Sequence, residues 1–280
     1  YMAMGGIPYY WTFLRKELSL SQNIDQIFFA KDAPLKDEFR YLFRSLFKEA
    51  TLARQVVEEL ASVGRGMTQQ ELKEALKLPS GGNLTTVLKD LQLCDFIRNY
   101  SSMGKKSKGM LFQLTDLFTL FHLRFVAKHS GQDNQFWSNL DERSHDAWAG
   151  YAFERVCLHH VPQIKKRLGI GGVMTNTYGW NTKPLVDKDG GEWGGAHNDL
   201  LLDRADGVIN VCEMKYSKHP YAITEDYDKH LRERMAIFHH HTKCKAALHL
   251  TFVTTYGLVH NMYWNNVQSE VVMDDLFVCL

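Results

Sequence analysis

No apolar run in these 280 residues approaches the roughly 18 needed to cross a bilayer, which excludes a transmembrane helix. No charged-then-apolar opening segment marks a signal peptide, and the expectation is a cytoplasmic protein without a membrane partner. The G-x-x-x-x-G-K-[ST] phosphate loop is missing, so these residues by themselves do not bind nucleotide in that manner. The five cysteines (94, 157, 212, 244 and 279) show no C-x-x-C and no regular spacing, which excludes a thiolate zinc module and a disulfide framework. Cys157 and Cys212 fall on apolar positions and read as buried thiols, which suits a reducing compartment. Net charge is only +1 and is divided evenly between the halves. A nucleic-acid partner would therefore be held by local patches rather than by a global field. No internal repeat and no low-complexity tract interrupts the chain.

The composition is that of a globular protein, 45% hydrophobic and 23% charged, long enough for two cores. Its most informative stretch is Ala196 to Arg204, then Ala205-Asp206-Gly207, then Val208 to Lys215, which reads as strand, tight turn, strand. With Gly207 left-handed, Arg204 pairs with Val208, so that Asp199 faces Glu213 and His197 faces Lys215. Two carboxylates opposed on one sheet face repel unless something neutralises them, and a divalent cation is one remedy. Ile209, Val211, Glu213 and Lys215 alternate with Val208, Cys212, Met214 and Tyr216. Apolar residues on both faces mark a central strand covered on both sides, where a charge needs a partner. The plainer alternative makes Glu213 and Lys215 a strand-end pair pointing at water.

Ser144 to Lys165 reads as one helix, and at roughly 100° per residue the neighbours of Glu154 on its face are Ala147, Gly150, Tyr151, Cys157, Leu158 and Val161. An acidic residue amid an apolar stripe is either paired, held for chemistry, or a carboxylate reaching for water from the edge of a seam. His239-His240-His241 has no spaced cysteine or carboxylate nearby, and reads as a helix-end cluster rather than a zinc site.

Helix with Glu154, strand around Gly172 to Trp180, Asp199, Glu213-x-Lys215, helix, strand: this order resembles the restriction-endonuclease-like PD-(D/E)xK nucleases. The resemblance implies a mixed central sheet flanked by helices, with Asp199, Glu213 and Glu154 as ligands of Mg²⁺ or Mn²⁺. Lys215 would orient or activate the attacking water in phosphodiester hydrolysis, of DNA first and RNA second. Asn198 stands where the motif has proline.

The N-terminal half is helical. Leu46 to Val63 carries Leu52, Val56, Val57 and Leu60 on one stripe, Thr68-Gln69-Gln70-Glu71 is a capping box opening a second helix, and Leu84, Val87, Leu88 and Leu91 mark a third. Phe96 to Tyr100 and Met110 to Leu114 read as two strands around a loop holding Lys105, Lys106 and Lys108. These elements resemble a winged helix, in which those lysines and Lys89 would meet nucleic acid; the alternative is a domain that packs on a neighbour and transmits its state. Leu117 to Phe121 and Leu123 to Val126 form an aromatic-rich helix that ends at a polar stretch.

Met4 to Tyr10, Asn23 to Phe29 and the helix at Leu35 and Glu38 resemble the segment that closes the ATPase module of archaeal-type AAA-family ATPases. The expected organisation is residues 1–35 as a lid remnant, 36–130 as a winged-helix domain and 131–280 as the nuclease-like domain, α/β in class and α+β overall. ATP would bind only in the ATPase module, which this resemblance makes a partner, and a homo-oligomer is compatible with it. A non-catalytic DNA- or protein-binding regulatory region of the same ATPase is the competing expectation.

Overall fold

Thr68 closes the capping box written in the sequence: its hydroxyl accepts from the Glu71 amide at 3.1 Å, and the Glu71 carboxylate accepts from the Thr68 amide at 2.7 Å. The computed structural model describes residues 1–79, 83–103, 110–131, 133–186 and 191–279. The chain forms two compact units, Tyr1–Asn99 with Leu111–Arg155, and Tyr100–Met110 with Val156–Leu280.

The first unit holds short helices α1 (Pro8–Trp11) and α2 (Leu20–Ile24), then α3 (Glu38–Leu46), α4 (Ala50–Val63), β1 (Met67–Thr68), α5 (Gln69–Ala75) and α6 (Leu84–Leu93). β2 (Ile97–Ser102), which passes into the second unit after Asn99, β3 (Met110–Leu114), which returns to the first at Leu111, and α7 (Leu117–Phe121) follow. Gly64 ends α4 with φ +69°, the left-handed C-cap that glycine adopts at least cost. All four residues of the predicted α6 stripe are buried. β1 pairs antiparallel with β3, Met67 opposite Phe112, so the short α5 and α6 are tied to a strand pair. Lys105, Lys106 and Lys108 lie outside the described residues, whereas Lys89 is exposed on α6.

The aromatic-rich helix is the centre of this unit's core. Every residue of α7 is buried, and the chain runs on through a wider π-type turn, His122–Val126. The Phe121 ring lies 4.8 Å from Phe28, 5.2 Å from Trp137 and 5.4 Å from Trp148. Rings at such separations interlock and dominate burial energetics. Asp25 is buried below them, and its carboxylate accepts from the amides of Trp137 (2.7 Å) and Ser138 (3.1 Å) and from the Ser138 hydroxyl.

His122 stacks on Phe39 at 4.6 Å, and burial, partly opposed by Asp37, pulls its pKa down to about 4. A base held neutral in the fold costs stability on acidification, because the unfolded chain takes up the proton first. Stability should therefore be full above the unfolded histidine pKa near 6.5 and fall as the pH drops from there to about 4. Thermal melts at pH 7 and pH 5 should show a loss of about 2 kcal/mol that His122→Phe largely abolishes. An identical loss in the variant would remove His122 as its source.

The next helix differs from the single element expected. α8 (Glu142–His159) stops, and α9 (Val161–Arg167) starts anew with Pro162 in its first turn. Proline has no amide hydrogen to continue a helix yet fits its first turn, which is why the break falls there. The stripe read around Glu154 holds only in part: Cys157 and Leu158 are buried as expected, but so are Trp148, Ala152, Phe153, Arg155 and Val156 outside it, Ala147 is exposed and Glu154 itself is half-buried. The deeply buried charge is Arg155, whose guanidinium donates to the Gly64 carbonyl at 2.9 Å and lies 4.7 Å from the Tyr151 ring.

The second unit is a mixed sheet with helices. β4 (Thr175–Thr182), β7 (Ala196–Arg204) and β8 (Val208–Lys215) form an antiparallel meander, with a small hairpin of β5 (Leu185–Val186) and β6 (Glu192–Trp193) between the first two. α10 (Glu225–Thr242) then carries the chain back, so that β9 (Ala247–Thr254) runs parallel to β8, and β10 (Ser269–Val272) parallel to β9 before α11 (Met273–Leu276). Ser101 and Ser102, at the end of β2, add to the far edge beside β4. β8 is therefore an interior strand, buried from Ile209 to Met214, as its double-faced apolar pattern requires. Phe238 of α10 packs against Trp180, Leu201, Ile209 and Val211, and Leu231 against Leu250 and Phe252.

Candidate functional site

The hairpin has the register read from the sequence. Gly207 has φ +83°, and the pairs run from Asp203 opposite Ile209 to Leu200 opposite Cys212. Asp199 and Glu213 border that last rung. On the other edge of β7, Tyr178 pairs with Leu201 but Trp180 with Asn198, so Asp199 and Leu200 together oppose the single Gly179. Such a bulge bends the strand and re-aims side chains. A Cβ on Gly179 would lie 2.4 Å from the Tyr100 ring, so the absence of a side chain there lets the ring approach.

The two carboxylates have different companions. Asp199 accepts from the His197 imidazole, Nε2 to Oδ1 3.0 Å. Glu213, nearly buried, lies 3.0 Å from the Lys215 ammonium through Oε1 and 2.8 Å from the Arg234 guanidinium through Oε2. The Tyr227 hydroxyl also donates to Oε1. Burial and the adjacent Glu213 charge push the Tyr227 pKa well above the usual phenol range, so it remains a donor. Lys215 is also held over the Tyr227 ring, at 4.9 Å. Behind the carboxylate, burial pushes the Cys212 thiol up to about 12, which leaves it an inert packing group.

Tyr227 and Arg234 were not among the residues singled out from the sequence, yet a signal was there. Tyr227, Leu231, Arg234 and Phe238 recur at helical spacing along one side of α10, and two of them are buried. An arginine within such a stripe asks for a buried anion, as an acidic residue in an apolar stripe asks for a cation.

Glu154 stands in the first unit, and Asp199, Glu213 and Lys215 in the second. Among the described residues, no group of three or more His, Cys, Asp and Glu side chains gathers where it could hold a metal ion. The donor chemistry of Asp199 and Glu213 nonetheless suits a hard cation, because carboxylate oxygens are its preferred ligands. Each carboxylate is engaged with a nitrogen donor instead. Two of the three helix-end histidines have local partners: His240 stacks on Trp193 at 3.9 Å, and His241 meets the Thr182 hydroxyl at 3.1 Å, while His239 is exposed. No described helix is long and apolar enough to cross a membrane.

Comparison with protein-family profiles, with curated proteins and with solved structures finds no match.

Proposed function

We propose that the second unit is a restriction-endonuclease-like nuclease domain that hydrolyses phosphodiester bonds of DNA, with RNA as a second substrate, using Mg²⁺ or Mn²⁺. The carrying observation is the order β4, β7, β8, α10, β9 in a sheet whose interior hairpin sets Asp199 and Glu213 beside one rung, with Lys215 beside Glu213. Asp199 and Glu213 would hold the ion, and Asn198 occupies the motif's proline position. When bound, the ion polarises the phosphoryl oxygen and stabilises charge on the leaving oxygen. Lys215, with its ammonium at the carboxylate and one-third exposed, would hold the attacking water and shield the negative charge that develops on the phosphate. β7 and β8 fix these groups on backbone that the meander and α10 keep in place.

The first unit, with α5, α6 and the β1–β3 pair, reads as a winged helix, and the chain as the C-terminal region of an AAA-family ATPase whose phosphate-loop module is a partner. Its nucleic-acid contact would come from Lys89 and from Lys105, Lys106 and Lys108. The second reading, a non-catalytic DNA- or protein-binding platform in that ATPase, is favoured by one observation: three donors already occupy the Glu213 oxygens.

Incubation of the purified chain with single- and double-stranded DNA and RNA in Mg²⁺ or Mn²⁺ separates the two. Cleavage is expected from the wild type and should fall at least about 100-fold in Glu213→Ala. Equal cleavage by both proteins would sink the nuclease assignment, and cleavage by neither would favour the platform.

A further inference from the structure

We infer that Arg234 is the resident counter-cation of the Glu213 site, bound to the carboxylate when no metal is there and transferred to a substrate phosphate when a metal takes its place. The inference rests on the metal-dependent reading above. Arg234 is mostly buried, its Nη2 2.8 Å from Glu213 Oε2. With so little water at either group, the guanidinium is the carboxylate's effective neutraliser on that oxygen. A divalent ion ligated to the same oxygen at about 2.1 Å would occupy the guanidinium's approach and repel it.

The two cations at Glu213 are not equally anchored. Lys215 shares β8 with Glu213 and is also held over the Tyr227 ring, so strand geometry keeps it in place. Arg234 reaches in from α10, and its other terminal nitrogen makes one long bond, Nη1 to the His197 carbonyl at 3.4 Å. Arg234, which enters from another element and has no second short contact among the described residues, is the group that moves. His197 adjoins Asp199, with 3.0 Å between imidazole and carboxylate, so a released guanidinium tethered there remains at the Asp199 side of the site. Its planar fork matches two oxygens of a phosphodiester. Charge bookkeeping points the same way. Asp199 and Glu213 balance Lys215 and Arg234, so a divalent ion leaves an excess of two positive charges that a phosphate partly offsets. Metal and substrate binding are then coupled, each raising the other's affinity.

Mn²⁺ binding to the full chain, followed by the loss of the free-ion electron paramagnetic resonance signal, tests this without any turnover. Arg234→Gln should bind Mn²⁺ about tenfold more tightly than the wild type, a difference of about 1.4 kcal/mol. Arg234→Lys, which replaces a planar fork by a point charge, should lie between them and serves if the glutamine variant melts without cooperativity. Dimethyl phosphate should tighten Mn²⁺ binding to the wild type and leave Arg234→Gln unchanged. Equal Mn²⁺ affinity in wild type and both variants, with binding still lost in Glu213→Gln, would overturn the role of Arg234 alone. Absence of Glu213-dependent binding in every variant would overturn the metal reading and this inference with it.

Discussion

Glu213→Gln should destabilise the second unit by about 3 kcal/mol, the range for breaking one side of a buried ion pair. Removing an acid from a site where acids repel one another would ordinarily relieve strain. Here the substitution strands cations instead: Arg234 loses its carboxylate partner at 2.8 Å and Lys215 the one at 3.0 Å. Glutamine still accepts from Tyr227, so the loss isolates the charge. Lys215→Gln should cost less, because its side chain is one-third exposed and water takes over part of its role. Urea unfolding followed by circular dichroism is the appropriate measurement, since guanidinium salts screen ion pairs. An unchanged or raised midpoint for Glu213→Gln would mean that the three-way contact contributes nothing in solution. A destabilised variant also sets the conditions for the cleavage comparison, which must be run well below the melting transition of Glu213→Ala.

Asp25→Ala should cost the first unit about 4 kcal/mol, because the buried carboxylate accepts three hydrogen bonds and charged acceptors contribute about 1.5–3 kcal/mol each before relaxation. Its removal leaves the amides of Trp137 and Ser138 without an acceptor, and Trp137 is a wall of the aromatic core around Phe121. Asp25→Asn keeps an acceptor but brings a donor of its own toward those N–H groups, so it should fall between wild type and alanine. Near-ultraviolet circular dichroism reports the tryptophan environment directly. A full aromatic signal and an unshifted melt in Asp25→Ala would show that the carboxylate only follows the packing.

Local signals in the sequence translated well into elements because the physics behind them is local. The Thr68 box needs only four residues, the α6 stripe only about two helical turns, and the register across Gly207 follows from turn length. Strand β8 was legible as interior because both its faces are apolar. What was not legible depended on residues distant in sequence. Glu154 stands on a side of α8 chosen by its packing partners, and hydropathy around it did not reveal that Arg155 would be the buried charge. Pro162 was within the expected helix and restarts it. The companions of Glu213 come from α10, where a tyrosine and an arginine in a helical stripe acquire meaning only once that stripe is laid on the sheet. The bulge at Asp199 and Leu200 is set on the β4 side of the strand, which the β7–β8 hairpin says nothing about.

The parallel step between β8 and β9 has a consequence for when the charges of this site are balanced. Lys215 is two residues from Glu213, so that contact is available once β8 is extended. Arg234 comes within reach only after the chain has left the sheet and α10 has docked, the crossover a parallel neighbour demands. Loop closure of this kind precedes any contact that rewards it. The carboxylate pair Asp199 and Glu213 is thus half balanced by a lysine of β8 early and fully balanced by a helix late, so the final charge of the site reports whether α10 is seated.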